Sequence, residues 1–220
     1  MTNKLALIAA TLVLMAAPAK AQVVIITDPG SFAALGTINK LSVPGNAPDQ
    51  NNYVLGDAVF SANPLHFLAF YGANQFGATR DYLVNGVNSP IDVAISGNYQ
   101  LVSFLFGRFN PGTFNQPISV TTNLGNYSFV MPMGSILAGG EFTFAGFATT
   151  GAERITRVSF SNDTPEGFNT NTAIAEVGFG NYAAIGVVPE PTVWAMMILG
   201  FGLIGGTLRT RKARSASLAG

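Results

Sequence analysis

Apolar and polar residues alternate in short runs through the middle of the chain, between residues 22 and 188. The clearest runs are 91–95, 118–122, 127–131 and 158–161. A period of two places successive side chains on opposite faces of a strand, so each run predicts a strand with one buried face. Gly, Pro and Asn interrupt the runs at intervals of roughly eight to twelve residues, which is typical of sandwiches built from short antiparallel strands.

Two other runs, 101–109 and 142–147, are apolar on both faces, which indicates strands buried between layers. The sequence therefore predicts an all-β fold: one antiparallel β-sandwich of about eight to ten strands over residues 22–185, with two sheets packed face to face. No long helix is expected in this region. One or two helical turns are predicted over residues 29–35, with Asp28 as the N-cap.

Three dipeptides mark expected hairpins or tight turns, because Asn and Gly tolerate positive φ: Asn85-Gly86, Gly97-Asn98 and Gly125-Asn126. Residues 44–52 combine Pro, Gly, Asn and Asp and predict an exposed loop.

Charge is sparse and unevenly distributed. Only 10% of the residues are charged and the formal net charge is zero, yet residues 22–188 hold ten acidic and five basic side chains, a net of about −5. A phosphate backbone is a poor partner for such a surface, so nucleic-acid binding is not expected. The chain has no cysteine, so the core must be stabilised by burial alone, which a domain of about 165 residues can achieve.

Aromatic residues allow two interpretations. The seventeen phenylalanines could simply fill the space between two sheets. Alternatively, Phe70, Tyr71 and Phe76 could lie on a rim loop and stack on the sugar rings of an extracellular polysaccharide. A concave sheet face lined by Tyr71, Phe76 or Arg80 would favour glycan binding, whereas a flat polar face would favour a component of an extracellular matrix.

Catalytic motifs are missing from the sequence. Its one histidine, His66, lies in an apolar run and is interpreted as a structural imidazole. There is no nucleophile elbow, zinc motif or P-loop, so we expect no catalytic residue, metal or cofactor and interpret the protein as structural or binding rather than as an enzyme. Acidic residues alone leave open a polysaccharide hydrolase that uses two carboxylates.

A calcium site is the remaining chemical candidate. Residues 162–169 are rich in the oxygen ligands that Ca²⁺ prefers. They do not fit an EF-hand, because Ala173 stands where that loop would need an acid. A solvated loop is the favoured interpretation, and no metal site is assigned.

The amino-terminal segment has the pattern of a cleavable signal helix. Lys4 is followed by an apolar stretch over residues 5–17, and Ala19 and Ala21 provide the small residues that signal peptidase requires. The stretch is shorter than the roughly 20 residues that a spanning helix needs. We expect signal peptidase to cleave after Ala21, so that the exported chain begins at Gln22.

The carboxyl-terminal segment predicts a hydrophobic helix. Residues 193–208 carry no charge, and Pro191 suits the first turn of a helix. At 1.5 Å per residue this helix would span about 24 Å, which is short for a bilayer core of about 30 Å. Four cations follow it and predict a stop-transfer signal that holds this end in the cytoplasm: Arg209, Arg211, Lys212 and Arg214.

The order of these elements resembles a known sorting signal. The segment contains Pro189-Glu190-Pro191, then Trp194-Ala195-Met196-Met197 within a glycine-spaced apolar helix, and then a basic tail. It is similar to the PEP-CTERM sorting signal, a region also catalogued as an ice-binding protein C-terminal domain. The basic tail departs from the usual pattern, because Thr210 and Ala213 interrupt it and further residues follow it.

The resemblance implies that the chain passes through the inner membrane of a Gram-negative bacterium, anchored there transiently by the C-terminal helix. An exosortase would cut near residues 189–191 and send the ectodomain to the cell surface or the exopolysaccharide matrix. Signal peptidase and exosortase are then the processing partners. The expected segments are 1–21 (signal peptide), 22–187 (ectodomain) and 188–214 (sorting signal).

A second resemblance concerns the ectodomain. Phe144-Ala145-Gly146-Phe147 and a last strand through residues 175–185 are similar to jelly-roll domains that accompany this signal. The resemblance implies a sandwich of the carbohydrate-binding kind without assigning a ligand. We interpret the chain as a secreted surface or matrix protein whose ectodomain is structural or glycan-binding. A membrane-anchored adhesin and a two-carboxylate hydrolase are the alternatives.

Overall fold

The computed structural model describes residues 22–62, 67–85, 89–109, 111, 114–161 and 171–183. The chain divides into two units, residues 1–182 and 183–220, and every strand and helix named below lies in the first. Among the described residues, no helix has both the length and the apolar character needed to cross a membrane.

Thirteen strands lie within the described part of the chain. They are β1 (Val23–Ile26), β2 (Gly36–Ser42), β3 (Asn52–Leu55), β4 (Ala58–Ser61), β5 (Leu68–Tyr71), β6 (Tyr82–Asn85), β7 (Ile91–Tyr99), β8 (Leu101–Arg108), β9 (Phe114–Thr122), β10 (Asn126–Met133), β11 (Thr143–Thr149), β12 (Ile155–Phe160) and β13 (Thr172–Tyr182). One short helix, α1 (Pro29–Ala33), and two 3₁₀ turns, Gln75–Gly77 and Leu137–Gly139, complete the elements.

The strands form two sheets. The seven-stranded sheet has the order β1-β11-β8-β13-β6-β5, with β2 also paired to β13, and the six-stranded sheet has the order β10-β9-β12-β7-β4-β3. Every pair of neighbouring strands is antiparallel. The chain passes from one sheet to the other at most of its connections, as it does in jelly-roll sandwiches. The prediction of an all-β antiparallel sandwich is confirmed.

The predicted count of eight to ten strands is too low. Five strands, β1 and β3 to β6, are only four residues long. A run of four residues contains at most two repeats of an alternating apolar–polar pattern, so such strands are hard to distinguish from loops in the sequence.

One of the three turn predictions is wrong, because Gly97 and Asn98 lie inside β7 rather than in a turn. Asn85 ends β6, and the next strand, β7, belongs to the other sheet, so β6 and β7 do not form a hairpin. Gly86 lies outside the described residues, and a tight turn there stays a prediction. The third prediction is confirmed, because β9 and β10 form a hairpin across the turn that precedes Asn126. Its Thr122 hydroxyl accepts hydrogen bonds from the N–H groups of Leu124 and Gly125.

The main core lies between the sheets. Phe104 and Phe106 of the seven-stranded sheet meet Phe160 of the six-stranded sheet, with ring centroids 5.2 and 5.3 Å apart. All three side chains are at most 1% exposed. The core also contains Val93, Ile118, Val120, Phe147, Val158 and Val177. Burial of these apolar surfaces is the main stabilising contribution in a chain without disulfides.

The seven-stranded sheet is covered on its outer face as well. Phe32 of α1 packs edge to face against Phe144 of β11, with ring centroids 5.6 Å apart. Asp28 caps this helix as predicted, since its carboxylate accepts the Ser31 N–H at 2.6 Å. A second outer cluster, around Tyr82 and Ile136, lies nearer the other end of the sheet. These two clusters explain why β8 and β11 are apolar on both faces.

Candidate functional site

A groove of about 680 Å³ lies beside the second outer cluster. Its lining residues are Thr79, Arg80, Leu105, Glu141 and Phe142, which we call the groove residues. Leu105 faces outward because its neighbours Phe104 and Phe106 point into the main core. The other four lie on the segments that lead into β6 and β11. A sheet residue thus forms part of the wall, and two connecting segments supply the polar and aromatic groups.

Arg80 separates this groove from a smaller hollow of about 270 Å³, which it also lines. Its Nη1 atom lies 3.6 Å from Oε2 of Glu176, and Nζ of Lys40 lies 3.8 Å from Oε1 of the same carboxylate. The Arg80 side chain is still 53% exposed. A guanidinium carries five N–H donors, so Arg80 can pair with Glu176 and still donate to a molecule in the groove.

Asp81 fixes the shape of the smaller hollow. Its two carboxylate oxygens accept the N–H of Gly45 at 3.0 Å and the N–H of Ala73 at 2.5 Å. Asp81 therefore joins the loop after β2 to the loop after β5. Because Asp81 is held by both loops, its backbone, which leads directly from Arg80, is fixed at the edge of the hollow.

Five rings form an aromatic cluster next to the groove: Tyr71, Phe76, Tyr82, Phe109 and Phe142. Tyr71 stacks on Phe109 with centroids 5.5 Å apart and an interplanar angle of 4°. Tyr82 lies 5.9 Å from Phe109 and 6.1 Å from Phe142. The cluster therefore reaches the groove through Phe142, which belongs to both.

Phe76 is the exposed member of the cluster. Its ring stands edge-on to Tyr71 at 5.4 Å and to Phe109 at 5.3 Å, yet 56% of its surface is exposed. Its backbone is left-handed, with φ 56° and ψ 18°. Bulky residues rarely adopt this conformation, and such strain is concentrated at functional sites. An exposed ring held in this way presents a face on which a ligand can stack.

The structure places the three aromatic residues expected on a rim loop in different surroundings. Phe70 is 6% exposed and packs against Tyr53 at 4.8 Å, because it shares the inward face of β5 with Leu68. Tyr71 points to the opposite face, but Phe109 covers its ring. Phe76 lies on the surface as expected. Arg80 lines the groove, whereas Tyr71 and Phe76 do not.

Sequence reasoning missed Phe142, Glu141 and Leu105. Phe142 was expected to begin a strand buried on both faces, but β11 begins one residue later and leaves its ring at the groove. Leu105 was expected to be fully buried and is only partly so. No local pattern marks these positions, because the groove forms where segments distant in sequence meet.

Glu153 is a fully buried acid outside the groove. Its Oε1 atom accepts the hydroxyl of Thr122 at 2.5 Å and the hydroxyl of Tyr127 at 2.7 Å. The hydrogen bond to Glu153 raises the pKa of Tyr127. These contacts join the β9–β10 hairpin to the turn before β12, so Glu153 has a structural role. No group of three or more acidic, His or Cys side chains among the described residues is arranged to hold a metal ion.

Several predicted positions lie outside the described residues. These are His66, the 162–169 loop, the signal-peptide residues Ala19 and Ala21, the motif Pro189, Glu190 and Pro191, the 193–208 helix, and the cations Arg209, Arg211, Lys212 and Arg214.

Comparison with known protein families identifies a sorting motif near the carboxyl end of the chain. Residues 187–212 match the PEP-CTERM protein-sorting motif. The predicted resemblance is thereby confirmed, and the motif indicates a secreted protein that an exosortase processes. No curated protein is significantly similar to the sequence.

Solved structures give weaker similarities. A carbohydrate binding module of family 29 is 12% identical, with a TM-score of 0.39, over 66% of this chain and 91% of that one. A point mutant of the family 29 module CBM29-2 is 10% identical, with a TM-score of 0.33, over 66% of this chain and 88% of that one. The catalytic unit of a GH87 alpha-1,3-glucanase from Streptomyces thermodiastaticus is 10% identical, with a TM-score of 0.33, over 78% and 28%. Similarity at this level transfers neither ligand nor activity to this chain.

Proposed function

We propose that this protein is exported, cut by an exosortase near residues 189–191, and delivered to the cell surface or exopolysaccharide matrix, where its ectodomain binds polysaccharide without cleaving it. The sorting motif over residues 187–212 supports the first half of this proposal. The second half rests on the groove and its exposed aromatic neighbour.

The chemistry of the groove suits a sugar. A pyranose offers an apolar face of C–H groups and a rim of hydroxyls. Phe142 supplies an aromatic surface, while Arg80, Glu141 and Thr79 supply donors and acceptors around it. Small-molecule sites commonly combine an apolar wall with a few convergent polar groups. The observation that carries the proposal is the pairing of this groove with Phe76, which is exposed at a backbone conformation unfavourable for phenylalanine.

Charge supports a neutral glycan over an anionic one. Arg80 and Lys40 share the carboxylate of Glu176, and Glu141 also lines the groove. The cations are therefore balanced by acids, and a polyanion would find no excess of positive charge.

Retention on beads coated with exopolysaccharide extracted from the producing cells tests the proposal, using the full chain in detergent. We expect Arg80→Ala to weaken binding on the order of tenfold, because hydrogen bonds to a charged group contribute roughly 1.5–3 kcal/mol. Lys40→Ala is the matched control: it removes the other cation at Glu176 but no groove residue, and should leave retention unchanged.

Two results would contradict the proposal. Equal loss of binding in both variants would indicate a general charge effect rather than a site. Release of reducing sugar from the same polysaccharide, abolished by Glu141→Gln, would establish the hydrolase alternative.

A further inference from the structure

The outer face of the six-stranded sheet carries a second arrangement of polar groups. On its central strands the residues Val93, Val158 and Ile118 point into the main core. Strand alternation therefore turns Asp92 and Ser159, their neighbours in the chain, to the outside. This face looks away from the groove, which lies beyond the other sheet.

The strand register aligns one polar residue from each strand of this sheet. Ser128 pairs with Ser119, Ser119 with Ser159, Ser159 with Asp92, Asp92 with Ser61, and Ser61 with Asn52. We call these six residues the polar row. Neighbouring strands lie about 4.8 Å apart, so the row spans about 24 Å across the sheet. Sequence inspection cannot find it, because its members come from six separate segments.

The polar groups of the row are accessible. Ser128, Ser119 and Asn52 are exposed, and the other three are partly exposed. Within the part of the chain that the structure describes, one side chain of the row makes a hydrogen bond: the Ser61 hydroxyl donates to the Asp92 carbonyl at 3.4 Å. The remaining hydroxyls and the Asn52 amide can therefore both donate to and accept from a ligand.

The surroundings of the row favour a long, uncharged ligand. Next to its central members stand Ala94, Pro117 and Thr121, which are too small to block a chain that crosses the strands. Arg157, which lies between Thr121 and Ala94, is long and exposed and borders the row on that side. Asp92 in the row and Arg157 in the adjacent one are the charged residues there, so a polyanion or polycation gains little. A neutral polysaccharide presents hydroxyls at a regular repeat and has no charge to desolvate.

We propose that the polar row is a second polysaccharide-binding surface, on which a neutral linear glycan lies across the strands with its hydroxyls paired to the row. The ligand class is that of the proposed function, but binding here does not depend on the groove. Two sites on opposite faces of the sandwich make the protein a cross-linker of matrix polysaccharide rather than a simple binder.

The test uses the full chain in detergent and beads coated with exopolysaccharide from the producing cells. Retention measures binding, and clumping of beads measures cross-linking. The double variant Ser119→Ala/Ser159→Ala removes two hydroxyls from the centre of the row with little change of shape. Ser159→Lys places a long side chain in the path of the ligand, and Arg80→Ala disables the groove.

Asn98→Lys is the matched control for Ser159→Lys. It adds the same charge at an exposed position of β7, six residues beyond Asp92 and so about 20 Å along the strand. Thermal melting of each variant shows that the sandwich remains folded.

We expect Ser159→Lys and Arg80→Ala each to abolish clumping while retention persists through the other face. The double alanine variant should weaken the retention that remains in Arg80→Ala on the order of tenfold. Asn98→Lys should behave as wild type.

Three outcomes would overturn the inference. If Arg80→Ala removes all retention, the groove is the binding site and the row is not. If folded Ser159→Lys clumps beads as well as wild type does, the row has no part in binding. If Ser159→Lys instead converts a dimer to a monomer in sedimentation, the face binds a second copy of the chain. Loss of retention in the row variants alone would support the row and contradict the groove.

Discussion

Phe76 shows how a single residue can oppose the preferences of its own side chain. A left-handed backbone costs an L-residue roughly 1–2 kcal/mol, and the Phe76 ring stands edge-on to Tyr71 and Phe109 while 56% of its surface is exposed. Glycine adopts this conformation without that cost. We propose that a function of the ring accounts for phenylalanine at this position.

Replacement of Phe76 tests this explanation. Both Phe76→Gly and Phe76→Ala remove the ring, but only glycine also relieves the backbone. We expect the glycine variant to have the higher free energy of unfolding by about 1 kcal/mol, and both variants to bind polysaccharide more weakly. Denaturant titration measures the first difference. A more stable alanine variant would show that the backbone at this position is not strained.

Tyr82 gives a prediction about pH. Burial raises its pKa to about 12, so the folded state holds this proton more tightly than the unfolded state, whose tyrosine titrates near 10. The resulting stability is fully present below about pH 10 and is lost as the pH rises towards 12.

Tyr82→Phe should therefore flatten the fall in stability between about pH 10 and 12, as measured by denaturant titration at several pH values. The pKa values of Tyr53, Tyr99, Tyr127 and Tyr182 are also raised in the folded state, so part of the fall in stability should remain in this variant. An ultraviolet titration in which all six tyrosines of the native protein ionise near pH 10 would contradict the prediction.

The local role of a residue was easier to predict from the sequence than its surroundings in the folded protein. The Asp28 cap needs only local spacing and was found. Phe70 was expected at the surface but is buried, and Phe142 was expected in a buried strand but lies at the groove. The inward face of β5 and the first residue of β11 both depend on strand register. Register is set by partners far away in the sequence.

Among the elements, the strands with a clear period of two were the ones that the sequence revealed. β9 and β12 each bury one face and expose the other, so alternation is visible. β8 and β11 were recognised by the lack of alternation, because they are apolar on both faces. The four-residue strands have too few residues for either pattern, and the count was low for that reason.

Helix α1 and the strand beneath it offer a test of packing. A Cβ atom on Gly146 of β11 would overlap Cδ2 of Phe32, so the ring must move. We expect Gly146→Ala to lower the free energy of unfolding by about 1–3 kcal/mol, although alanine is otherwise better than glycine in a strand.

Gly134→Ala is the control, since a Cβ atom there meets nothing within 4 Å. Thermal melting should show a lower midpoint for Gly146→Ala and no decrease for Gly134→Ala. Equal midpoints for the two variants would mean that Phe32 does not pack on Gly146 as described.

At the scale of the whole molecule, the sequence was most informative about destination and least informative about binding. The sorting motif is a continuous stretch of sequence, residues 187–212, so a reader of the sequence can recognise it directly. The groove and the polar row are assembled by the fold from separate segments. No continuous stretch carries either one.

The two faces also relate the ectodomain to the proposed destination. The groove lined by Arg80 and the polar row lie on opposite sides of one sandwich. A protein that binds glycan on two sides suits a matrix, where each molecule must join more than one chain.

Intact-mass analysis of the protein recovered from the extracellular fraction of its native cells tests the proposed export and processing. We predict a form that begins at Gln22 and ends near residues 189–191, with both the signal peptide and the apolar tail removed. An extracellular form that still carries residues 194–214 would contradict processing by an exosortase, and with it the proposed route to the cell surface.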